Sequence, residues 1–384
     1  MTHAERYLEL GLRLGRHAPE LIDSYYGPAG LARRIADEPL LEPARLADDG
    51  AELLAELDDR WLAAQVRALE TTARTLAGEE LPYAEEIELT YGIRPRWIDE
   101  QEFERAHALL DDALPGSDDL AARVARWFAD AALPAEAVEP AVDAALAIVR
   151  ERASETVGVP EGEEVELEIV TGELWFGYAH YLGGFRTRIS VNTDLSFPVA
   201  DLLGFAAHEG YPGHHTQRAW QEADLVRGEG RVETTMDVLW SPDAVLAEGI
   251  AETGPELVVD HDAHETLAER LRPLRVDYDP VVAARVGEAR QILHSVPSNV
   301  ALLRHEHGAS RREAWEYGAR WSLQPADRVD KMLANVEDRR SRCYVHTYSV
   351  GRRLCLAFVD GDPSRLRHLV TARLLPADLS RSAA

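Results

Sequence analysis

The stretch from Phe197 to Trp220, FPVADLLGFAAHEGYPGHHTQRAW, decides how the fold of this chain is interpreted. We expect a helix to begin at Ser196, Phe197 and Pro198. Its apolar face is formed by Val199, Leu202, Leu203 and Ala206. The helix leads to His208, but Pro212 offers no N–H to the carbonyl of His208 and its ring clashes there. The helix is therefore predicted to open at this turn.

The spacing of the histidines decides which of them can join His208. In an unbroken helix a six-residue step turns about 600°, which places His214 nearly opposite His208. If Pro212-Gly213 is looped out, His214 recovers the four-residue spacing that puts two imidazoles on one face. His215 shares the face of His208 but lies about 10 Å along an ideal helix, so it is the weaker candidate. A helix that simply ended at Tyr211 would let a loop present either imidazole.

A family resemblance rests on this string and on three further motifs. The string His208-Glu209-x-x-Pro212-Gly213-His214-His215, followed by Gln217, resembles the signature of the family known as domain of unknown function 885. That family is similar to the helical zinc carboxypeptidases of the gluzincin class. The other matching motifs are a Gly-rich hairpin ending at Asn192, Glu248-Gly249-Ile250-Ala251, and Tyr348-Ser349-Val350-Gly351. Together the motifs extend over roughly residues 160 to 358.

The resemblance implies a third metal ligand on a later helix, and the chain supplies one. Ser241 is predicted to cap this helix, Pro242 to occupy its first turn and Gly254-Pro255 to end it. Glu248 and Glu252, four residues apart, then share one face. The implied ligands of one Zn²⁺ per chain are His208, His214 and Glu248, which leave the open fourth position of a catalytic zinc site.

The resemblance also implies roles for neighbouring residues. Glu209 lies beside the metal as the general base for the attacking water, with a buried structural acid as the alternative. Tyr348, on a late helix, is similar to the residue that donates to the oxyanion. Residues expected around the ligands or at the substrate are His215, Glu252, His346 and Arg352. An arginine here would hold a substrate carboxylate, or else pair with a surface acid.

The remaining sequence predicts a mainly helical chain with one small sheet. Apolar residues recur every three or four positions from Thr2 to Thr156. We expect a first helix reaching Tyr26, a long one over Pro43–Leu76, and others at 99–113, 118–132 and 135–156. After Val157, alternation at Val165–Ile169 and Phe185–Asn192, with an apolar run at 174–182 between them, predicts a three-stranded antiparallel sheet turning at Gly183-Gly184. The chain is then helical to about residue 375.

Composition limits the partners. The chain has 384 residues, 41 Lys+Arg and 68 Asp+Glu, which give a net charge of −27. This field repels nucleic acid and anionic membranes, so neither is an expected partner. Two cysteines, the absence of a secretion signal and the absence of a long apolar run predict a cytoplasmic location.

The sequence therefore predicts a mainly α, gluzincin-like fold similar to the thermostable carboxypeptidases, with a small antiparallel β-sheet beside the active-site helix. Residues 1–158 would form an N-terminal helical layer and residues 159–384 the zinc-dependent part, or both one continuous domain with a cleft. The expected function is a zinc metallopeptidase acting on a peptide or small amide. An extended substrate would pair with the free edge of Phe185–Asn192. The alternatives are a zinc hydrolase of a non-peptide amide or ester, and a non-catalytic protein with a structural metal.

Overall fold

The computed structural model describes residues 1–173, 175–195 and 197–382. Leu174 and Ser196, which we expected in a strand and at a helix start, lie outside the described residues. Most of the described chain is helical, which confirms the predicted mainly α class. The helices before the larger sheet are α1 (His3–Gly15), α2 (Ala29–Asp37), α3 (Pro43–Glu56), α4 (Arg60–Leu76), α5 (Tyr83–Tyr91), α6 (Glu100–Ala113), α7 (Leu120–Asp130) and α8 (Ala135–Thr156).

The helices after that sheet carry most of the candidate site. They are α9 (Leu202–Phe205), α10 (His214–Trp220), α11 (Pro242–Thr253), α12 (Pro255–Val258), α13 (His261–Leu271), α14 (Pro280–Leu293), α15 (Val296–His305), α16 (Arg311–Ser322), α17 (Ala326–Glu337), α18 (Val345–Val359), α19 (Pro363–Thr371) and α20 (Pro376–Ser382). In the described part of the chain, no helix combines the length and the apolar character needed to cross a membrane.

Two of the predicted N-terminal helices differ from the structure. The helices expected at 99–113, 118–132 and 135–156 are present as α6, α7 and α8. The first helix, however, ends at Gly15 and not at Tyr26. The helix expected over Pro43–Leu76 is divided into α3 and α4. The division has a local cause, because the side chain of Asp59 accepts the N–H of Leu62 at 3.1 Å and starts a new helix there.

The larger sheet contains β2 (Glu164–Val170), β3 (Gly177–Gly183) and β4 (Arg186–Asn192) in the order β2-β4-β3. The hairpin between β3 and β4 is confirmed, and Gly183 and Gly184 both take positive φ, at 75° and 68°. The prediction of a wholly antiparallel sheet is wrong, because β2 runs parallel to β4.

The strand order also corrects the expected docking edge. Both edges of β4 are paired, so the free edge expected at Phe185–Asn192 does not exist. Ile189 and Val191 are fully buried, which explains why β4 takes the centre of the sheet while the more exposed β2 lies at one edge. The strand at the other edge is β3.

A second, smaller sheet was not predicted. It pairs β1 (Ile22–Tyr25) with β5 (Met236–Val238) in antiparallel fashion, so the expectation of an all-helical N-terminal part is wrong here. Strands of four and three residues are too short to show an alternating pattern. Ile22 lies opposite Val238 and Ser24 opposite Asp237, which leaves Asp23 as the extra residue of a bulge.

A backbone contact between α11 and α18 positions the site. A Cβ at Gly351 would lie 2.2 Å from the carbonyl oxygen of Val245, and a Cβ at Gly249 would lie 2.5 Å from the carbonyl oxygen of Gly351. Only glycine fits at these two positions, so the helices pack backbone against backbone. The carboxylates of α11 are thereby brought next to the tyrosines at the start of α18.

The hydrophobic cores run across the predicted boundary at residue 158. Tyr83 and Phe103 from the first part belong to the same cluster as Val245 and Ile250 from the second. A second cluster joins Val149 of α8 to Leu202 and Leu203 of α9. The division into a helical layer and a catalytic part stays a prediction, but the packing is continuous between them.

Candidate metal centre

The segment that carries the histidines is interrupted, as its proline requires. Helix α9 passes into a π-helical turn, Ala206–Gly210, and beyond this turn Gly213 donates its N–H to the carbonyl of Ala207 at 2.9 Å. Helix α10 then begins at His214. A Cβ at Gly213 would lie 1.9 Å from the carbonyl oxygen of His208, so this closure requires glycine. The loop at residues 211–213 separates the two helical pieces.

This break brings three candidate ligands together. The Nε2 atom of His208 lies 3.5 Å from Oε2 of Glu248, and the Nε2 atom of His214 lies 3.8 Å from the same oxygen. One ligand atom from each of the three residues lies within 4.8 Å of the others. Within residues 1–173, 175–195 and 197–382, no other group of three or more His, Cys, Asp or Glu residues approaches this closely.

The chemistry of the three residues fits a divalent cation. Oε1 of Glu248 accepts a hydrogen bond from the Tyr344 hydroxyl at 2.5 Å, whereas its Oε2 is buried without a hydrogen-bond partner. Burial raises the pKa of Glu248 well above its ordinary value and lowers the pKa of His208 and of His214. An unsatisfied buried carboxylate oxygen is costly unless a cation or donor meets it. Two imidazoles and one carboxylate are a donor set that zinc takes.

A second carboxylate orients the first histidine. Oε1 of Glu252 lies 3.5 Å from Nδ1 of His208 and 3.2 Å from Nδ1 of His294. Burial opposes ionisation of Glu252, but the neighbouring His294 and His208 lower its pKa to about 2. An ionised carboxylate on the far nitrogen of a ligating histidine fixes the ring and its tautomer. His294 was not predicted from the sequence, because it shows no ligand spacing.

His215 has a different environment from His214. Its Nδ1 lies 2.8 Å from the hydroxyl of Thr187 on β4, and its Nε2 lies 2.8 Å from Oε2 of Glu163. The same Glu163 oxygen accepts the Tyr211 hydroxyl at 2.5 Å. His215 therefore ties the start of α10 to the sheet, and both of its ring nitrogens are occupied by these contacts. Glu163 was also missed, since it lies in an acidic loop without a motif.

Glu209 is half-buried beside the centre. Burial and, to a smaller extent, the charge of Asp23 raise its pKa to about 8, although a hydrogen bond from the backbone amide of Ala179 on β3 opposes this rise. The structure thus places Glu209 on the π-helical turn, with its carboxylate against the edge strand of the larger sheet. A carboxyl group with a pKa near neutrality is suited to taking and returning a proton.

Helical geometry separates the two tyrosines of the C-terminal segment, Tyr344 and Tyr348, from His346. Tyr344 and Tyr348, four residues apart, both line a cavity of about 210 Å³ that also borders His214 and Glu248. His346 is turned about 200° from Tyr344 on such a helix. It is fully buried and contacts the hydroxyl of Tyr83 at 3.0 Å, so the expectation that it supports the ligands or substrate is not met.

Arg352 follows one of the two roles that the sequence predicts for it. Its guanidinium pairs with Glu256 on α12, which is the alternative that the sequence left open. Its charge still contributes to the low pKa of Glu252. The structure therefore shows Arg352 in an ion pair beside the centre and not on the cavity wall.

Comparison with known proteins gives structural neighbours only. No protein-family model matches the chain, and no curated protein matches it significantly. A "putative lipoprotein" from Colwellia psychrerythraea aligns with a TM-score of 0.56 and 15% identity, over 88% of this chain and 66% of that chain. A "putative lipoprotein of unknown function" from Shewanella oneidensis aligns with a TM-score of 0.52 and 12% identity, over 92% of this chain and 69% of that chain. These identities show a shared fold alone, and this chain spans about two thirds of the length of either neighbour.

Proposed function

We propose that this chain is a zinc-dependent hydrolase of peptide or related amide bonds, with a gluzincin-like catalytic fold and the family relationship suggested by its His208 motif. The observation that carries the proposal is the buried, unpartnered Oε2 of Glu248, which lies between the Nε2 atoms of two histidines. The residues that would hold the ion are His208, His214 and Glu248. Once bound, zinc supplies a Lewis acid that lowers the pKa of water toward ~7.

Glu209 is the proposed proton carrier. Its carboxylate takes a proton from the attacking water and later gives it to the leaving amine. The raised pKa of Glu209 strengthens its carboxylate as a base for the first transfer, and the positive charge of a bound cation would favour the ionised form that this transfer needs. The amide of Ala179 helps to hold the carboxylate in place.

The tyrosines take separate roles in this proposal. The hydroxyl of Tyr344 is engaged with Glu248 and positions that carboxylate. Tyr348 lines the cavity next to it, with its ring 5.2 Å from the ring of His294 between centroids. Tyr348 is therefore the proposed donor to the oxyanion that forms at the scissile carbonyl.

The edge strand β3 is the proposed docking edge for an extended substrate. It borders β4 on one side, and its residues Tyr178, Ala179 and Tyr181 line the cavity. A substrate that added a strand here would have its backbone fixed by main-chain hydrogen bonds. This replaces the expectation that β4 offers that edge.

A catalytic site suits the arrangement better than a structural one. Structural zinc sites have four protein ligands, whereas the described residues bring only three His, Cys, Asp or Glu side chains within ligand distance of one another. The cytoplasmic location stays a prediction, and the neighbours described as lipoproteins make cell fractionation a useful check on it.

The test is cleavage of a defined peptide mixture by the zinc-loaded protein, followed by mass spectrometry. We expect hydrolysis that EDTA removes and added zinc restores. Glu209→Gln should keep zinc while turnover falls by roughly 10² or more, because general acid–base catalysis is lost. Glu104→Gln, at an exposed position on α6, is the matched control and should be unchanged. Peptides left intact by the fully zinc-loaded protein would contradict the proposal.

A further inference from the structure

The cavity beside the candidate metal centre has an acidic end. Its wall includes Asp23 on β1, Asp237 on β5 and Arg218 on α10, in addition to His214 and Glu248. The elements that supply the two aspartates come from the small sheet, whose pairing brings distant parts of the chain together. The acidic end and the candidate ligands therefore share one continuous space of about 210 Å³.

Among the described residues that line this cavity, the one arginine is already paired with carboxylates other than Asp23. Arg218 contacts Oδ2 of Asp237 at 2.5 Å and Oδ2 of Asp243 at 2.9 Å. Among the described residues, Asp23 makes no ion pair within 4.0 Å, and its one side-chain hydrogen bond comes from the Tyr178 hydroxyl, at 2.5 Å to Oδ1. Oδ2 of Asp23 thus accepts no hydrogen bond from the described residues, and the guanidinium of Arg218 is contacted by two other carboxylates.

The backbone directs Asp23 into this space. Asp23 is the extra residue of the bulge between β1 and β5, and a bulge re-aims the side chain that it carries. Its carboxylate lies near the centre, because Asp23 lines the same cavity as His214 and Glu248. Burial raises the pKa of Asp23 itself. An incoming cation would offset that cost of burial.

We propose that the Asp23 end of the cavity binds an ammonium group of the substrate, so that the hydrolase prefers substrates with a cationic group next to the cleaved bond. This inference rests on the proposed function, because it names the substrate class of the same site. Oδ2 of Asp23 is the primary acceptor. Leu239, Ala244 and Ala247 form apolar wall in the same cavity, against which an aliphatic stem would pack. The ammonium comes either from the substrate amino terminus or from a lysine-like side chain.

Binding of four small amides, measured by calorimetry, separates these two sources. The probes are L-lysinamide, N-acetyl-L-lysinamide, L-norleucinamide and N-acetyl-L-norleucinamide, of which the last carries no ammonium. We expect the probes with the recognised ammonium to bind roughly tenfold or more tightly than the neutral one, as a charged hydrogen bond allows. Preference for both α-amino probes assigns the substrate amino terminus, and preference for both lysine probes assigns the side chain.

Substitutions test whether the preference for the ammonium probes depends on the carboxylate of Asp23. Asp23→Asn should reduce the difference between charged and neutral probes to within about threefold, as expected when the charge at the contact is lost. Asp58→Asn, at an exposed position before α4, should leave the difference unchanged. Equal binding of all four probes by the unmodified protein would overturn the proposal without any variant, as would a preference that survives Asp23→Asn.

The binding of the four amides is measured with zinc and again in EDTA. The two conditions distinguish a failure of the ammonium-binding proposal from a failure of the zinc-hydrolase proposal. An ammonium preference in EDTA needs neither bound zinc nor turnover, and it supports the acidic end of the cavity even if no peptide is cleaved. Conversely, peptide cleavage by the zinc-loaded protein with no preference among the four amides would contradict this inference and leave the hydrolase proposal intact.

Discussion

Replacing Glu163 by glutamine tests the contacts that hold His215 in place. Glu163 is buried, and Oε2 receives the Tyr211 hydroxyl at 2.5 Å and lies 2.8 Å from Nε2 of His215, while Oε1 receives Nε of Arg150 at 2.7 Å. Burial alone would raise its pKa, but these contacts lower it from 4.5 to about 2. One pH unit of pKa corresponds to about 1.36 kcal/mol, so ionised Glu163 contributes about 3 kcal/mol to stability at pH 7.

The sign of the pH dependence follows from the lowered pKa. The unfolded chain binds a proton at Glu163 more readily than the folded chain does, so the contribution is complete above pH 4.5 and is lost as pH falls toward 2. By the same relation, Glu163 still contributes about 2 kcal/mol to the free energy of unfolding at pH 3.5. Glu163→Gln should therefore cost about 3 kcal/mol at pH 7 and measurably less at pH 3.5.

The assay is urea unfolding of both proteins across this pH range, followed by circular dichroism. Glu161→Gln, two residues away and exposed, is the matched control and should change the free energy of unfolding by less than about 0.5 kcal/mol. A cost below about 1 kcal/mol at pH 7, or a cost that grows as the solution becomes more acidic, would refute the role given to Glu163.

Two further predictions concern the contact between α11 and α18 and the carboxylate of Glu252. Gly351→Ala should destabilise the protein by roughly 2 kcal/mol or more in thermal unfolding, because the new Cβ meets the backbone of α11. Gly287→Ala, whose Cβ would have open space on α14, is the control and should be neutral or slightly stabilising. Equal effects of the two substitutions would contradict the close contact between α11 and α18. Glu252→Gln should weaken zinc binding by about 10- to 100-fold in a chelator competition, whereas the exposed Glu265→Gln should not. An unchanged zinc affinity in Glu252→Gln would contradict the role of Glu252 in orienting His208.

The parts of the site that sequence reasoning found are those set by local rules. Pro212 and Gly213 interrupt the helix through short-range sterics, and the cap and stop of α11 are local as well. These rules do not depend on the rest of the fold. The pair His208 and Glu248 could therefore be named from spacing, caps and resemblance, and the structure brings both residues together.

The parts that sequence reasoning missed are those created by contacts between distant segments. Asp23 reaches the cavity because a four-residue strand pairs with β5, and strands this short carry no periodic signal. His294 reaches Glu252 through helix packing. The parallel pairing of β2 with β4 follows from the place of β4 at the centre of the sheet, where Ile189 and Val191 are buried.

Zinc stoichiometry in two adjacent histidine variants tests the central claim most directly. The protein and its variants are equilibrated with zinc, freed of excess metal and analysed for bound metal, with folding checked by circular dichroism. We expect about one zinc per chain in the unmodified protein, near zero in folded His214→Ala and about one in folded His215→Ala, since His214 approaches Glu248 while His215 is held by Glu163. Full zinc in His214→Ala with none in His215→Ala, or no zinc in the unmodified protein, would contradict the account.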